Sequence, residues 1–420
     1  MLNKIIWSLA TTLLIISGIY FTIALKGVQF NIKRMIKSLN TKEKTKISPL
    51  QTLMLSVSAK IGVGSIAGIA LCIYIGGSGS LFWLWISAFI TAPNAFIESL
   101  FGAKYKNKTK EGYVGGPAYY IKQGLNNKKL SVLYAIFVII LYILCFSSIQ
   151  SNTIATSVSH SYHVNKYITG TIIVLISAFA IFKNMQHLIK MISYMVPIMC
   201  ATYIAIGMYI IFKDISSMKE VLNTIFLSAF NIKSMSTGIL STIIIGVQRG
   251  VFSNEAGIGT GAIASSSSDT KNYINQGYVQ ILGVYFTSLV ICSISAFLIL
   301  LSPYQDFITT KNVNGIELSL FALKYHLGSF GEFFLIFSIF LFDFSSIVAG
   351  YYYGESSLRF LFKNIKKSSI ILFKLLLLVI LFYGSISHAS VLWNISDFII
   401  GLLAIINIYS CIKLYIKQKL

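Results

Sequence analysis

GVQRGVFSNEAGIGTGAIASSSS, Gly246 to Ser268, is the stretch whose reading decides this chain. An apolar run, GILSTIII (238–245), precedes it, and another, VQILGVYFTSLVICSISAFLILL (279–301), follows. The setting is that of a membrane-spanning helix, yet the stretch carries an Arg, an Asn, a Glu and five glycines. Glycine weakens a helix interior and admits backbone conformations that other residues avoid. In lipid an unsatisfied backbone group is costly, so a break at that depth must face protein or a wet cavity. There the freed groups become useful. A half-helix N-terminus suits a carboxylate, and freed carbonyls suit a cation that prefers oxygen.

The whole chain supports a membrane setting. Of 420 residues, 55% are hydrophobic and 11% charged, with a mean hydropathy of +0.76. A soluble domain cannot hide that much apolar surface, and most of the chain divides into blocks of about 20 apolar residues. The net charge of +21 lies mainly in connections on one side, as the positive-inside rule requires. It fits anionic lipid and gives no reason to expect nucleic acid. Cys72, Cys145, Cys200, Cys292 and Cys411 are scattered through apolar blocks and read as structural thiols. His160, His163, His187, His326 and His388 show no ligand spacing, so no transition-metal site is expected. Neither a Walker loop nor a nucleophile elbow is present, which leaves an ion gradient as the energy source for any transport.

A first span is expected at 5–25, followed by a loop (26–46) with seven Lys/Arg that stays inside. Ten core spans are expected at 50–75, 80–103, 131–159, 167–183, 188–212, 238–267, 273–301, 329–358, 368–387 and 393–415. The connection 104–129, also with seven Lys, is inside, as are RFLFKNIKK and the basic tail. The N-terminus then lies outside and the C-terminus in the cytoplasm. The first core helix holds KIGVGSIAG (Lys60–Gly68) and the sixth holds SNEAGIGTG (Ser253–Gly261). Interrupted helices at matching places in two halves point to a secondary transporter. An odd number of spans per half makes the halves inverted. Each glycine-rich segment taken alone is also compatible with tight helix packing.

Taken together, these residues make the chain resemble the alanine or glycine:cation symporter family nearly end to end. The matching pieces are SGIYFT (Ser17–Thr22), ISPLQ (Ile47–Gln51), GVGSIAGIA (Gly62–Ala70), FWLW (Phe82–Trp85), GGPAYYI (Gly115–Ile121), QSN (Gln150–Asn152), VQRGVFSNEAGIGT (Val247–Thr260) and YYYGE (Tyr351–Glu355). The resemblance implies an all-α polytopic membrane protein of about eleven spans. Its core would be a LeuT-like inverted repeat of five plus five helices with one extra N-terminal helix. The expected parts are 1–48 (extra helix and basic loop), 49–213 (first repeat), 214–237 (outer connection) and 238–420 (second repeat and tail). The implied activity is sodium-coupled, in some members proton-coupled, uptake of a small neutral amino acid by alternating access, with sodium as coupling ion and no other cofactor.

By the same resemblance the substrate would meet Gly62, Gly64, Ser65, Gln150 and Asn152, covered by Asn254, Ala256, Gly257 and Ile258. Sodium would meet carbonyls near Ser58 and Ile61 and the hydroxyls of Ser345 and Ser346. Three departures stand out against the family pattern. Ser65 replaces the usual Asn. Thr287–Ser288 replace an Asp–Thr pair. FDFSSIVAG (Phe342–Gly350) gains Asp343 and has Gly350 for a Trp. The last change suggests a roomier pocket and a substrate larger than alanine. An acid within the membrane is usually functional, so Asp343 reads either as a relocated coupling carboxylate or as a structural partner, for example of Lys60. Arg249 reads as half of a gate, paired with Glu255 or Asp343, or as packing glue. Glu98 reads as a structural hydrogen-bond partner, the tyrosines of YYYGE as interface anchors, and SSSS (Ser265–Ser268) as a wet helix end. A passive channel or a non-transporting sensor of the same fold is the rival. A membrane enzyme would have only Asp343 with Glu255 to work with.

Overall fold

The computed structural model describes residues 2–40, 46–109, 112–230, 239–311, 313, 315–362, 364–387 and 389–418. Outside the described residues lie His388, residues 231–237 of the expected 214–237 connection, and Lys42, Lys44, Lys110, Lys363 and Lys419 of the basic segments.

The apolar blocks are helices almost residue for residue. They are α1 (Leu2–Ala24), α2 (Pro49–Lys60), α3 (Ala67–Gly76), α4 (Ser80–Lys104), α5 (Lys128–Tyr162), α6 (Lys166–Ile181), α7 (Met185–Lys213), α8 (Ile239–Asn254), α9 (Thr260–Ser266), α10 (Tyr273–Leu300), α11 (Ser329–Leu361), α12 (Lys367–Ile386) and α13 (Ala389–Gln418). Eight are long and apolar enough to cross a membrane, and α2 with α3 forms a ninth, bent by 66°. At 16 residues α6 is short for a crossing, and α8–α9 is interrupted. By length and composition the described residues therefore give eight crossings, or nine with the bent pair counted as one, against the eleven expected.

Local sequence accounts for the boundaries. Ser48 caps α2 by accepting from the Gln51 amide while the Gln51 side chain returns the bond, and Pro49 occupies the first turn, where no N–H is needed. ISPLQ is thus a helix start. Asn127, Asn165, Asn184 and Asn272 cap α5, α6, α7 and α10 with their side-chain oxygens. Wide turns at Ile140–Phe146 and Phe286–Ile291 interrupt the regular winding of α5 and α10, a feature often found at functional sites.

The connections carry structure that hydropathy does not show. A hairpin of β1 (Asn107–Thr109) and β2 (Gly112–Val114) precedes a short helix, Pro117–Leu125. The connection between α7 and α8 holds a helix at Ile215–Phe230, and two more, Tyr304–Lys311 and Ile316–Leu327, join α10 to α11. Two expectations are corrected here. Tyr351, Tyr352 and Tyr353 are buried in the bundle and do not sit at a lipid interface, because α11 is surrounded by α2, α5 and α7. Ser265–Ser268 are likewise buried in packed protein, and three of their hydroxyls donate to backbone carbonyls.

Close crossings depend on missing side chains. A Cβ at Gly102 on α4 would overlap the Ala262 carbonyl of α9, whereas one at Gly68 would find its nearest neighbour at 3.5 Å. Gly102→Val should destabilise the protein by about 1–3 kcal/mol, while Gly68→Ala should stay within about 0.5 kcal/mol. Thermal unfolding of the purified variants in detergent measures both.

Candidate functional site

The site begins where α2 stops. The Ile61 N–H makes the last helical bond, to the Val57 carbonyl at 2.7 Å, and residues 61–66 leave the helix through a tight turn at Val63–Ser65. The carbonyls freed by the break are taken by hydroxyls. Ser346 Oγ on α11 donates to Ala59 O at 3.2 Å, and Ser65 Oγ donates to Lys60 O at 3.1 Å.

The second break spans 255–259. Glu255, Gly257 and Gly259 have φ of 57°, 88° and 95°, so two of the three left-handed positions use the residue that adopts them without cost. Glu255 does not, and its carboxylate is held by the Tyr142 hydroxyl of α5 and by Thr260 Oγ1 at 2.8 Å. Asn254 closes the end of α8: its Oδ1 accepts from the Ala256 N–H at 2.9 Å and its Nδ2 donates to Ser288 Oγ on α10 at 2.9 Å. Glu98 on α4 accepts from the Gly259 N–H at 3.0 Å and from Asn407 Nδ2 on α13 at 2.7 Å. Asn407 also donates to Gly257 O, and the Tyr134 hydroxyl donates to Ile258 O.

The two breaks meet. Ser65 Oγ and Ser253 Oγ are 2.8 Å apart. A Cβ at Gly64 would stand 3.0 Å from the Phe252 ring. Against the first break is a cavity of about 10 Å³, bounded by Gly62, Gly64, Gln150 and Ser346 with the rings of Phe146 and Phe252. That is close to the least space that holds one water, so an amino acid fits only if these walls move apart.

Several expected contacts lie elsewhere. Gly62, Gly64, Gln150, Lys60 and Ser346 border the cavity, and Ser65 lies behind it. Asn152 does not reach it. Two residues from Gln150 on one helix, it points away and donates to Gly384 O and Ser387 O at the end of α12. Ala256, Gly257 and Ile258 do not line the cavity either: Gly257 faces Leu14 of α1 and Asn94 of α4, and Phe252, one turn earlier, takes their place as the cover. Gly350 opens no room, because the Tyr142 ring lies 3.2 Å from where its Cβ would be. Among the proposed ion ligands, Ser346 adjoins Gly62, while Ser345 bonds to Phe342 O of its own helix and faces Met199 of α7. Ser58 Oγ is buried without a hydrogen-bond partner, and Ile61 is buried.

The charged residues pair differently from expectation. Lys60 Nζ donates to Gln280 Oε1 on α10 at 3.2 Å, not to Asp343. Arg249 pairs with Asp397 of α13 at 2.7 Å, not with Glu255 or Asp343. Its guanidinium also lies over the rings of Phe252 and Trp393, which stack on each other. The Trp7 indole of α1 donates to Asp397 O at 2.9 Å. Asp397, Asn407 and Gln280 are the partners that sequence reasoning passed over. Their signal was available, since each is a polar residue inside an apolar run.

Paired broken helices around a small, partly polar cavity define a secondary carrier of the LeuT-like class. A solved structure supports that fold. A sodium-coupled sialic acid symporter, captured substrate-bound and outward-open, superposes with a TM-score of 0.57 at 12% identity, covering 100% of this chain and 83% of its own. Sequence comparison is more specific. The probable sodium/glutamine symporter GlnT of Bacillus subtilis (strain 168) is 34% identical over 99% of this chain and 90% of its own length. The amino-acid carrier protein AlsT of the same organism is 32% identical over 99% and 91%. The profile of the sodium:alanine symporter family matches residues 1–418, and the chain belongs to that family.

The Arg249–Asp397 pair generates a prediction. Removing one partner of a buried pair strands the other, at about 3–5 kcal/mol, whereas replacing both with apolar residues is often near neutral. Asp397→Asn should therefore lower the unfolding temperature markedly, and Arg249→Met with Asp397→Leu should recover most of the loss. Thermal unfolding of the single and double variants decides it.

Proposed function

We propose that this protein is a sodium-coupled symporter that brings a small neutral amino acid, of the alanine or glycine class, into the cell by alternating access. The observation that carries the reading is the approach of the first break to the last turn of α8, just before the second, with Gly64 against Phe252 and Ser65 against Ser253. Backbone groups at Gly62, Gly64 and Ser65 hold the substrate carboxylate, and Gln150 supplies a polar contact. Phe146 and Phe252 close over the aliphatic part. Asn254, Ala256, Gly257 and Ile258 act by shaping the second break, and Asn152 anchors α5 to α12. Oxygens at Ser58, Ile61 and Ser346 are offered to sodium between α2 and α11, and the Ser345 hydroxyl, which turns toward Met199 of α7, would have to rotate to join them.

Aromatic walls and a Gly350 position already filled by Tyr142 favour a small substrate over the larger one that the missing Trp suggests. Glutamine, named for one relative, requires greater displacement of Phe146 and Phe252. In this reading 49–213 and 238–420 are the inverted repeats, 214–237 joins them, and 1–48 is the addition. The lysine-rich connections favour a cytoplasmic C-terminus and an N-terminus outside.

An inward sodium gradient should drive accumulation of labelled alanine or glycine into proteoliposomes. Gly64→Val, which would press into Phe252, should cut that uptake by about tenfold or more. Absence of sodium-driven accumulation with alanine, glycine and serine alike overturns the reading.

A further inference from the structure

The connection between α1 and α2 contains a short helix, Ile32–Leu39, capped by Asn31, whose Oδ1 accepts from the Arg34 N–H at 3.1 Å. This helix lies along the first turns of α10. The Arg34 guanidinium stands 4.9 Å from the centre of the Tyr278 ring, and Ser38 Oγ is 3.4 Å from Asn275 Oδ1. Just ahead of the helix, the Gln29 carbonyl accepts from the Tyr285 hydroxyl. Met35 and Ser38 form its buried face. Another face is uncovered. Ile32 and Ile36, one turn apart, are 59% and 56% exposed, and Phe30 is 66% exposed. Beside this apolar strip, Lys33 and Lys37 are exposed, also one turn apart. In a protein that crosses a membrane, an apolar strip bordered by lysines meets acyl chains and headgroups at once.

Between the short helix and the start of α10 is a recess of about 570 Å³, lined chiefly by Asn31, Lys33, Arg34, Lys37, Asn272 and Asn275. Three of these side chains are cationic, and no Asp or Glu lines the recess among the described residues. The asparagines add donors. A backbone N–H can bond only to the amide oxygen, and Asn31 Oδ1 is taken by the Arg34 N–H, Asn272 Oδ1 by the Asn275 N–H. Both amides therefore turn their Nδ2 groups outward as donors. A recess with three positive charges, several N–H groups and no carboxylate has the chemistry of a phosphate site.

We propose that this recess holds the phosphate of an anionic phospholipid whose acyl chains lie along Phe30, Ile32 and Ile36. The apolar strip decides for a lipid over a free phosphate, because a soluble anion would leave the strip uncovered. The bound lipid clamps the short helix to α10. That reaches the cavity, since α10 supplies Gln280 to Lys60 before the first break and Ser288 to Asn254 at the second. The lipid site stands apart from the symporter reading; only its effect on uptake rests on that reading.

The test is native mass spectrometry of the purified protein in detergent, with phosphatidylglycerol, phosphatidylcholine or inorganic phosphate added, alongside amino-acid uptake in liposomes with and without phosphatidylglycerol. The protein should retain phosphatidylglycerol in preference to phosphatidylcholine, and less of it as salt is raised. Changing Lys33, Arg34 and Lys37 together to Gln should weaken that binding about tenfold or more. Lys128→Gln with Lys129→Gln, an exposed pair at the start of α5, should not. Ile32→Ser with Ile36→Ser leaves the phosphate groups in place and should also weaken the lipid. All five of the residues changed along the short helix are exposed, so these variants should fold. Phosphatidylglycerol should raise wild-type uptake several-fold and leave the triple variant unchanged. Equal retention of the two lipids, or full retention by the triple variant, overturns the site. Displacement of the lipid by inorganic phosphate at similar concentration, with the Ile32 and Ile36 changes silent, overturns the lipid assignment. Wild-type uptake indifferent to a lipid that does bind overturns the clamp. Selective binding lost in the triple variant, in a protein that takes up no amino acid in any lipid, supports the site and removes the symporter reading instead.

Discussion

Two helices stop inside the bundle, and the bonds they forgo must be made again within protein. The rest of the site follows from that constraint. At the first break hydroxyls do the work, with Ser346 on the Ala59 carbonyl and Ser65 on that of Lys60. At the second, longer side chains arrive from α4, α5 and α13: Glu98 on the Gly259 amide, Tyr134 on the Ile258 carbonyl and Asn407 on that of Gly257. The difference has a physical consequence. Short hydroxyls leave the first break narrow and open to a ligand, whereas the second is tied down by groups reaching in from three helices. The cavity accordingly lies against the first break.

Buried charge is arranged so that each group answers to a particular helix. Lys60 is tied to α10 through Gln280, and Arg249 to α13 through Asp397. Such pairs add little net stability, because desolvation offsets their attraction. Their effect is positional. Arg249 sits over Phe252, which covers the cavity, so the Asp397 contact also fixes that cover. Trp7 then fastens the Asp397 backbone to α1. The additional N-terminal helix is thereby joined to the cavity cover through two side chains.

Much of this was legible in the sequence, for identifiable reasons. Apolar run length located the helices. Glycines beside polar residues located both breaks, because such a cluster survives at membrane depth only where protein or water faces it. The facing direction of single residues was not legible. Gln150 and Asn152 look equivalent in a motif, yet the turn of a helix sends one to the cavity and the other to α12. Gly350 looked like a lost wall, because a sequence does not reveal that a ring from another helix fills the space. The tyrosines of YYYGE looked like interface residues, because composition does not show that α11 is central. Asp397 and Asn407 were visible as polar residues in an apolar run, but only the fold supplies their partners.

Tyr142 shows how closely the two breaks are joined. It stands in the wide turn of α5, donates to Glu255 and packs against Gly350. Glu255 has a left-handed backbone, which is uncommon for a residue with a side chain. Tyr142 and Thr260 together hold that conformation in place. Seven residues before Gly350 on the same helix, Asp343 faces the first break. A shift of α5 against α11 therefore disturbs Glu255 at one break and, through Gln150 and Ser346, the contacts at the other. The cavity between Gly62 and Gln150 is bounded by the same pair of helices, through Phe146 of α5 and Ser346 of α11. The cavity and the second break thus depend on one packing interface, and enlarging the space there would also loosen the left-handed turn that shapes the second break.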